Sequence, residues 1–367
     1  MLDGLVIERL AEQGIVSPVF ERRKTPRQPL LDALKFVACQ LIVLHHLAFY
    51  GPIGDAIEAQ FPQLSFSLVE YARMAVQVFL VFGGYLAARG MLRQPPRWAA
   101  LPGLFWQRYM RLALPLAAAL LVAMAVNGLT RPWLDADTVS APVNWGQLAA
   151  HLAMLHSLLD IESISAGVWY VSIDLQLFIL LALLFVLGQG LRGWRYLCLL
   201  GLLSSLLYFN LKPDWDIWGT YFFAAYGMGA LLAIGLGQQN DRFLLPLLSL
   251  LVCVALAFDF RERLLIALAT SWALAYARPL SAHFGPSMQR LASLGQMSYS
   301  VFLIHFPVCL LVNTALVMLH PAPEAAWVWA LVAPLTALLL SNLAGAAFYR
   351  WVELPCARLG RGRVIAN

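Results

Sequence analysis

The stretch LLDALKFVACQLIVLHHLAFY, residues 30–50, has the length and the apolar character of a membrane-spanning helix. A helix needs about 20 mostly apolar residues to cross the hydrocarbon core of a bilayer. This stretch also carries four ionisable side chains, which are Asp32, Lys35, His45 and His46. Ionisable groups inside a span are costly, and they usually face a cavity or a partner helix. The stretch therefore predicts an integral membrane protein whose first helix has a functional role.

The ionisable side chains of this helix fall mainly on one face. A helix turns about 100° per residue, so eleven residues complete about three turns. Lys35 and His46 are eleven residues apart and share a face with Asp32 and Cys39, whereas His45 points away. His46 is about 16 Å farther along the axis than Lys35 at about 1.5 Å per residue. We interpret this polar face as the wall of a passage open to the cytoplasm. In the alternative, Lys35 reaches lipid phosphates and His46 only bonds a neighbouring helix.

The rest of the chain has the composition of a membrane protein. Of its 367 residues, 61% are hydrophobic and 12% are charged, with a mean hydropathy of +0.72. Soluble domains have about 25% charged residues. Apolar runs of near-spanning length predict an all-α, polytopic membrane protein with about ten transmembrane helices. The runs lie at residues 30–50, 66–88, 112–129, 168–187, 195–210, 218–236, 243–258, 262–278, 298–319 and 327–350.

The chain shows no internal repeat and no low-complexity linker, which predicts a single membrane domain at residues 30–358. Residues 1–29 form a cytoplasmic segment in which apolar residues recur at helical spacing, which favours a short interfacial helix. They lack the apolar core of a cleavable signal, so the first span is predicted to be a permanent anchor. Residues 359–367 form a cytoplasmic tail. The stretch LAAHLAMLHSLL, residues 148–159, is interpreted as a re-entrant or in-plane segment.

The distribution of basic residues predicts the orientation, because Lys and Arg are retained on the cytoplasmic side. With the N-terminus inside, 20 of the 25 Lys and Arg residues are cytoplasmic and four lie in outer loops. Arg73 falls within a predicted span. The asymmetry predicts that both termini are cytoplasmic. The net charge of +5 is thus a topology signal, and no nucleic-acid surface is predicted.

The cysteines give no sign of a metal site. They are five in number, are scattered, and lie mostly in apolar runs. This pattern is typical of packed core residues and not of a disulfide set or a zinc site. We predict no metal. The five are Cys39, Cys198, Cys253, Cys309 and Cys356.

Three further polar groups lie in or beside predicted spans. In FWQRYMRLALP, Arg108 and Arg111 are three apart and lie on one helical face. Forked guanidinium groups suit phosphate oxygens, although anchoring to lipid headgroups is an equal alternative. In GVWYVSIDLQLFILL, Asp174 lies within an apolar helix, where a carboxylate without a partner is costly. Three interpretations stay open: Asp174 orients a histidine, pairs with Arg73, or is protonated.

The last two predicted spans also contain polar residues. In LGQMSYSVFLIHFPV, Ser298 and His305 are seven residues apart and share a face, and Pro307 can kink the helix. His305 is either a packed, hydrogen-bonded histidine or a functional residue. In FYRWVELP, Glu353 pairs with Arg350 or with an arginine of the third span. We interpret that pairing as structural.

Taken together and in order, these stretches resemble the acyltransferase-3 family of integral membrane O-acyltransferases. That family typically begins with L-D-x-L-R, followed after ten residues by a histidine, and this chain has LDALK with Lys35 and then His46. A lysine in place of arginine keeps the charge but loses the fork. In VFLVFGGYL, Gly83 stands where the family commonly has serine. The likeness extends from residue 30 to about residue 358 and includes QRYMRLALP, VWYVSIDLQLF, LGQMSYSVFLIHFP and FYRWVELP.

The resemblance implies an enzyme of the bacterial plasma membrane, which is the inner membrane, that takes an acyl group, most often acetyl, from cytoplasmic acyl-CoA. The acceptor implied is a hydroxyl of a glycan, such as a surface polysaccharide, or of a glycolipid in the bilayer. Coenzyme A is a long anion with a thioester at its tip, so Lys35, Arg108 and Arg111 are the implied binding residues for its phosphates. Acetyl-CoA or another acyl-CoA is the donor substrate, and no metal is implied.

The resemblance also implies the catalytic residues. His46 would remove the proton of the acceptor hydroxyl or would itself be acylated first. Asp174 or Asp32 would fix its tautomer, and His305 is a further catalytic candidate.

Two other classes of function are alternatives to acyl transfer. In a proton-coupled secondary transporter, the histidines and Asp174 would relay protons for a solute. This class predicts no acyl-CoA binding and no acylated product, and the lack of an inverted repeat disfavours it. A catalytically inactive membrane scaffold would leave the polar face of the first helix unexplained.

Overall fold

In the computed structural model, residues 29–235, 243–277 and 283–359 are described, and every regular element within these ranges is helical. Seven helical stretches are long and apolar enough to cross a membrane, and two shorter helices are apolar as well. The all-α membrane-protein prediction is therefore confirmed for this part of the chain. The predicted interfacial helix lies outside the described residues, and so does the predicted tail beyond residue 359.

The helices follow one another along the chain with short connections. They are α1 (Pro29–Phe49), α2 (Gly51–Gln60), α3 (Pro62–Glu70), α4 (Val76–Arg93), α5 (Leu101–Thr130), α6 (Trp145–Leu152), α7 (Trp169–Leu187), α8 (Leu191–Leu207), α9 (Gly219–Gly235), α10 (Leu244–Phe258), α11 (Glu262–Ala275), α12 (Pro286–Leu294), α13 (Ser298–Leu319), α14 (Ala326–Phe348) and α15 (Leu354–Leu359).

Each predicted apolar run falls on a helix, but the run at residues 66–88 is divided. α3 ends at Glu70, a 3-10 turn follows, and α4 begins at Val76. Arg73 lies in that turn and pairs with Glu70 at 2.9 Å, and both side chains are exposed. The suggested pairing of Arg73 with Asp174 is therefore wrong, because Arg73 pairs with Glu70 and Asp174 pairs with Arg108.

The centre of the bundle is a contact between α4 and α9 in which glycines let the two backbones touch. A Cβ atom at Gly84 would lie 1.9 Å from the carbonyl oxygen of Tyr226, and one at Gly229 would lie 1.9 Å from that of Val81. Small residues at a helix interface allow such close approach in membrane bundles. Apart from Thr220, all of α9 is buried. The other helices surround this central pair.

The segment between α5 and α7 returns alongside α5. The hydroxyl of Tyr109 donates to the carbonyl oxygen of Leu152 at 2.8 Å, and the amide of Asn127 donates to that of Ile164 at 3.0 Å. Tyr109 and Asn127 are separated by about 27 Å along the helix axis at about 1.5 Å per residue. Of the two interpretations of residues 148–159, this arrangement favours a re-entrant segment over one that lies in the membrane plane.

Candidate functional site

The two candidate histidines meet between α1 and α13. The Nδ1 atom of His46 lies 3.0 Å from the Nε2 atom of His305, and the two ring centroids are 4.9 Å apart. His305 is fully buried, whereas His46 keeps 8% of its surface exposed. The neighbouring-helix bond that the sequence offers as the alternative for His46 therefore exists, and its partner is the other candidate.

The partners of the two rings assign their protons. The Nδ1 atom of His305 lies 2.7 Å from the carbonyl oxygen of Phe302, which can only accept. That Nδ1 atom therefore carries a proton, and in a neutral ring Nε2 is then an acceptor. His46 must donate from Nδ1, which leaves a lone pair on its Nε2.

This geometry identifies the residue that fixes the tautomer of His46. The resemblance implies Asp174 or Asp32, whereas the structure has His305 in hydrogen-bond contact with the ring. His305 is itself held by a backbone carbonyl on its own helix. A chain of two directional hydrogen bonds thus leads from the backbone of α13 to His46.

Aromatic rings and a glycine enclose the imidazole pair. The ring of Tyr50 stacks 6.1 Å from His46, and Phe306 lies edge-on at 6.5 Å, both measured between centroids. A Cβ atom at Gly167 would lie 3.7 Å from Cε1 of His46 and 3.1 Å from the ring of Phe302. Apolar walls of this kind exclude water and strengthen the hydrogen bonds inside.

The polar face of α1 packs against α12 and α13. Lys35 pairs with Asp32 at 3.4 Å, and both are partly exposed. Between Lys35 and His46, Cys39 is 1% exposed and its Sγ atom lies 3.5 Å from the carbonyl oxygen of Ser298. This contact corrects the interpretation of the whole face as a passage wall, because the face is closed at Cys39. The ammonium of Lys35 lies 6.0 Å from the ring centre of Phe82 on α4.

A buried ion pair joins α5 to α7. Arg108 and Asp174 are 2.5 Å apart, and the guanidinium also lies 5.1 Å from the ring centre of Phe178. None of the three interpretations of Asp174 named this partner. The side chain of Asp174 also faces α4, where a Cβ atom at Gly83 would lie 3.6 Å from its carboxylate and 3.1 Å from the ring of Tyr226. The Tyr226 ring thus lies against the position where the family commonly has a serine side chain.

A second pair of charged residues, Arg111 of α5 and Glu353 beyond the end of α14, lies near Arg108 in the sequence or in space. Arg111 is exposed, unlike Arg108 three residues earlier. Glu353 ends a π-helical turn, Tyr349–Glu353, and accepts a hydrogen bond from the hydroxyl of Ser300 at 2.5 Å. The charge of Arg111 acts on this carboxylate, in keeping with the third-span arginine suggested for Glu353. Sequence reasoning missed Ser300, which lies on α13 and contacts the last residue of this turn. π-Helical turns frequently accompany functional sites.

The described residues include no cluster of side chains that is suited to bind a metal ion. In the part of the chain that the structure describes, no group of three or more His, Cys, Asp or Glu side chains is arranged to hold a metal ion. All five cysteines are free thiols. The candidate site thus consists of the His46–His305 pair, the Arg108–Asp174 ion pair and two cations. Of these cations, Lys35 is partly exposed and Arg111 is exposed.

A helical bundle with apolar spans and a buried pair of oriented imidazoles defines an integral membrane protein that is equipped for proton transfer. The sequence matches the acyltransferase-3 profile, described as an acyltransferase domain, over residues 29–349. The chain therefore belongs to the acyltransferase-3 family.

The chain is also similar to a protein of Caenorhabditis elegans named regulator of hypoxia-inducible factor 1. The two are 26% identical over 169 residues, which cover 42% of this chain and 33% of the nematode protein. The match therefore spans about a third of that relative's length. No solved structure matches the chain.

Proposed function

We propose that this acyltransferase moves an acyl group, most simply acetyl, from cytoplasmic acyl-CoA to a hydroxyl of a glycan or glycolipid. The supporting observation is the directional chain from the Phe302 carbonyl through His305 to His46. It leaves the Nε2 atom of His46 as an acceptor of protons. A neutral imidazole has a pKa of about 6.5 in water and suits general base catalysis near neutral pH.

The proposed step is proton removal by His46 as the hydroxyl oxygen attacks the thioester carbonyl. The new C–O bond forms, the C–S bond breaks, and the coenzyme A thiolate leaves and takes up the proton. While His46 is an imidazolium, its Nδ1 proton still donates to His305, so no second proton has to move. General base catalysis contributes typically about 10² to 10⁴ in rate. Direct acylation of Nε2, followed by transfer to the hydroxyl, uses the same lone pair.

The proposed donor site lies on the α1, α4 and α5 side of the bundle. Lys35 and Arg111 are at least partly exposed, which suits the attraction of phosphate oxygens. Arg108 is neutralised by Asp174, but its Nε atom has no hydrogen-bond partner among the described residues. The hydroxyl of Tyr226 is similarly without one there. These two groups are suited to the amides of the donor arm, whereas Lys35 and Arg111 are suited to its phosphates.

The topology that accompanies this proposal has about ten spans with both termini in the cytoplasm of a bacterial cell. Basic residues support it, because 20 of 25 fall on the cytoplasmic side of that arrangement. The donor then enters from the inside, and the acceptor lies on the outer side or in the bilayer.

The test is thiol release from acetyl-CoA by the purified protein in lipid nanodiscs and by membranes of producing cells. We expect His46→Ala to lower turnover at least about 100-fold, which is the range of general base catalysis. The matched control is His45→Ala, because the His45 ring lies beside His46 but its Nδ1 atom contacts the carbonyl oxygen of Leu68 and not His305.

Three outcomes of this experiment are decisive. Full turnover by a correctly inserted His46→Ala protein would remove the residue from the mechanism. Acid quenching followed by peptide mass spectrometry would reveal an acetyl group on His46 if the residue is acylated. Mass spectrometry of surface glycans and glycolipids, with and without the gene, would identify the acceptor. No lost ester and no thiol release would instead favour a proton-coupled transporter.

A further inference from the structure

The backbone of Ile164 is held by side chains on both of its polar groups. Its N–H donates to the Nε2 atom of His151 at 3.1 Å. Its carbonyl oxygen accepts from the amide of Asn127 at 3.0 Å and from the hydroxyl of Ser140 at 3.3 Å. Ile164 is fully buried and belongs to no helix. Its backbone position is therefore fixed by side chains from α5, from α6 and from the connection between them.

His151 is built to accept this hydrogen bond. Its Nδ1 atom lies 2.8 Å from the carbonyl oxygen of Gln147 and must donate to it, so Nε2 holds the lone pair. The ring is fully buried and stacks on His156, with centroids 4.1 Å apart. Burial lowers the pKa of His151, which favours the neutral form that this arrangement needs.

Three residues beyond Ile164, the chain touches the imidazole pair. Gly167 has φ of +85°, and a Cβ atom there would lie 3.7 Å from Cε1 of His46. Cε1 lies between the two ring nitrogens, so Gly167 borders the ring edge that joins Nδ1, which faces His305, to Nε2. The same Cβ atom would lie 3.1 Å from the ring of Phe302, the residue whose carbonyl holds His305.

We propose that residues 163–167 form the acceptor-side wall of the imidazole pair, and that Asn127 and His151 are positioning residues that fix this wall through Ile164. The wall belongs to the connection between α5 and α7, whereas Lys35 lies on the same helix as His46 but about 16 Å away along its axis. The acceptor hydroxyl then approaches His46 past Gly167, and the thioester approaches from the side of Arg108 and Tyr226, the groups proposed for the donor arm. This inference rests on the proposed acyl transfer.

A wall that positions the hydroxyl affects turnover and not donor binding. Loosening it misaligns the oxygen with the thioester carbonyl, and a misplacement of about 1 Å can cost about 100-fold in rate. The phosphate-binding groups stay in place, so the KM for acetyl-CoA is expected to change by less than about twofold. A merely structural role for Asn127 or His151 would lower kcat and raise the KM for acetyl-CoA together, or would lower only the amount of folded protein.

The first experiment compares His151→Leu with His151→Gln. The glutamine amide oxygen reaches the place of Nε2 and can accept from the Ile164 N–H, whereas leucine cannot. Thiol release from acetyl-CoA is measured in membranes of the producing cells, which supply the acceptor. We expect His151→Leu to lower kcat at least about tenfold at unchanged KM, and His151→Gln to restore most of it. Equal kcat for His151→Leu and the unmodified protein would overturn the proposal.

The second experiment needs no activity. Hydrogen exchange of the purified protein, followed by mass spectrometry, reports the protection of the Ile164 amide. We expect His151→Leu and Asn127→Ala to raise its exchange rate at least about tenfold, because each removes a bond that holds the segment. Amides of α9 serve as the internal control. Unchanged protection would overturn the positioning role, even if acyl transfer itself were demonstrated.

A third variant tests the wall directly. Gly167→Ala adds a methyl group against Phe302 and His46 and strains a positive φ, whereas Gly190→Ala strains a positive φ of +133° with nothing within 4 Å. We expect Gly167→Ala to lower kcat at least about tenfold at unchanged KM for acetyl-CoA, and Gly190→Ala to keep full turnover. A Gly167→Ala protein with full kcat would overturn the wall. If the unmodified protein releases no thiol, the proposed acyl transfer fails, and the exchange experiment still decides the role of Asn127 and His151.

Discussion

In the proposed mechanism, His46 decides the chemistry of the site, and its reactivity depends on the direction of one hydrogen bond. His305 accepts from Nδ1 of His46 only because its own Nδ1 proton is held by the carbonyl of Phe302. A backbone acceptor thus replaces the carboxylate that often orients a catalytic histidine. The pair carries no formal charge in this tautomeric state, which suits its location among aromatic rings.

We predict that His305→Leu loses most turnover, whereas His305→Gln keeps a larger part of it. Leucine removes the acceptor that His305 offers to the Nδ1 proton of His46, so the ring can adopt the other tautomer. A glutamine oxygen can accept that proton. The expected loss for leucine is about 100-fold in kcat, within the range of general base catalysis. Steady-state rates with acetyl-CoA, compared with thermal unfolding of each variant, measure the effect. Full activity of His305→Leu would show that His305 only fills space.

A second residue-scale prediction concerns acid stability. Burial, together with the neighbouring His151, lowers the pKa of His156 from 6.5 to about 4, and neither ring nitrogen has a partner among the described residues. Between these two pKa values the unfolded chain binds a proton that the folded chain does not. The free energy of unfolding therefore falls as the pH drops from 6.5 towards 4, and this contribution levels off below 4.

Replacing His156 with phenylalanine removes both nitrogens and the titration but keeps a stacking ring. We expect His156→Phe to unfold at a higher temperature than the unmodified protein at pH 5. The difference should be smaller at pH 7.5. Thermal unfolding in nanodiscs at the two pH values measures this. An equal shift at both values would assign the effect to packing instead of protonation.

At the scale of elements, the fold depends on the backbone contact between α4 and α9. We predict that Gly84→Ala destabilises the protein strongly, because the added Cβ atom would lie 1.9 Å from the carbonyl oxygen of Tyr226. Backbone cannot yield as a flexible side chain can, so the expected cost is about 1–3 kcal/mol or more. Gly90→Ala is the matched control, since it lies on the same helix with nothing within 4 Å. Equal thermal unfolding of the two variants would contradict this prediction.

The positions of the helices follow from local sequence, but their contacts do not. Apolar runs of spanning length locate most helices within a few residues of their observed ends. The polar face of α1 likewise follows from helical spacing, and it identifies His46. His46 and His305, however, are separated by 259 positions, and Arg108 and Asp174 by 66. Which helices pack together decides such pairs, and no local pattern contains that information. The closure of the α1 face at Cys39 has the same origin, because Ser298 of α13 is what covers it.

At the scale of the whole molecule, the asymmetry of basic residues and the location of the donor groups point to the same side of the membrane. In the proposed topology, Lys35 and Arg111 lie in segments that are counted as cytoplasmic, and the residue 163–167 wall belongs to an outer connection. Because acyl-CoA is a large anion that does not cross a bilayer unaided, the enzyme must receive its donor from the side on which these cations lie. The acceptor then meets the imidazole pair from the opposite side.

This arrangement predicts a strict sidedness of donor use. Inside-out vesicles from producing cells should release thiol from added acetyl-CoA, and sealed right-side-out vesicles should not until a pore-forming peptide is added. Vesicles that carry His46→Ala are the control for other thioesterases in the membrane. Lys35→Glu should raise the KM for acetyl-CoA in inside-out vesicles because it reverses the charge offered to the phosphates, whereas Lys35→Arg should not. Rapid thiol release by sealed right-side-out vesicles would reverse the proposed orientation. An unchanged KM in Lys35→Glu would instead move the phosphate site away from α1, because the predicted attraction depends on the charge at that position.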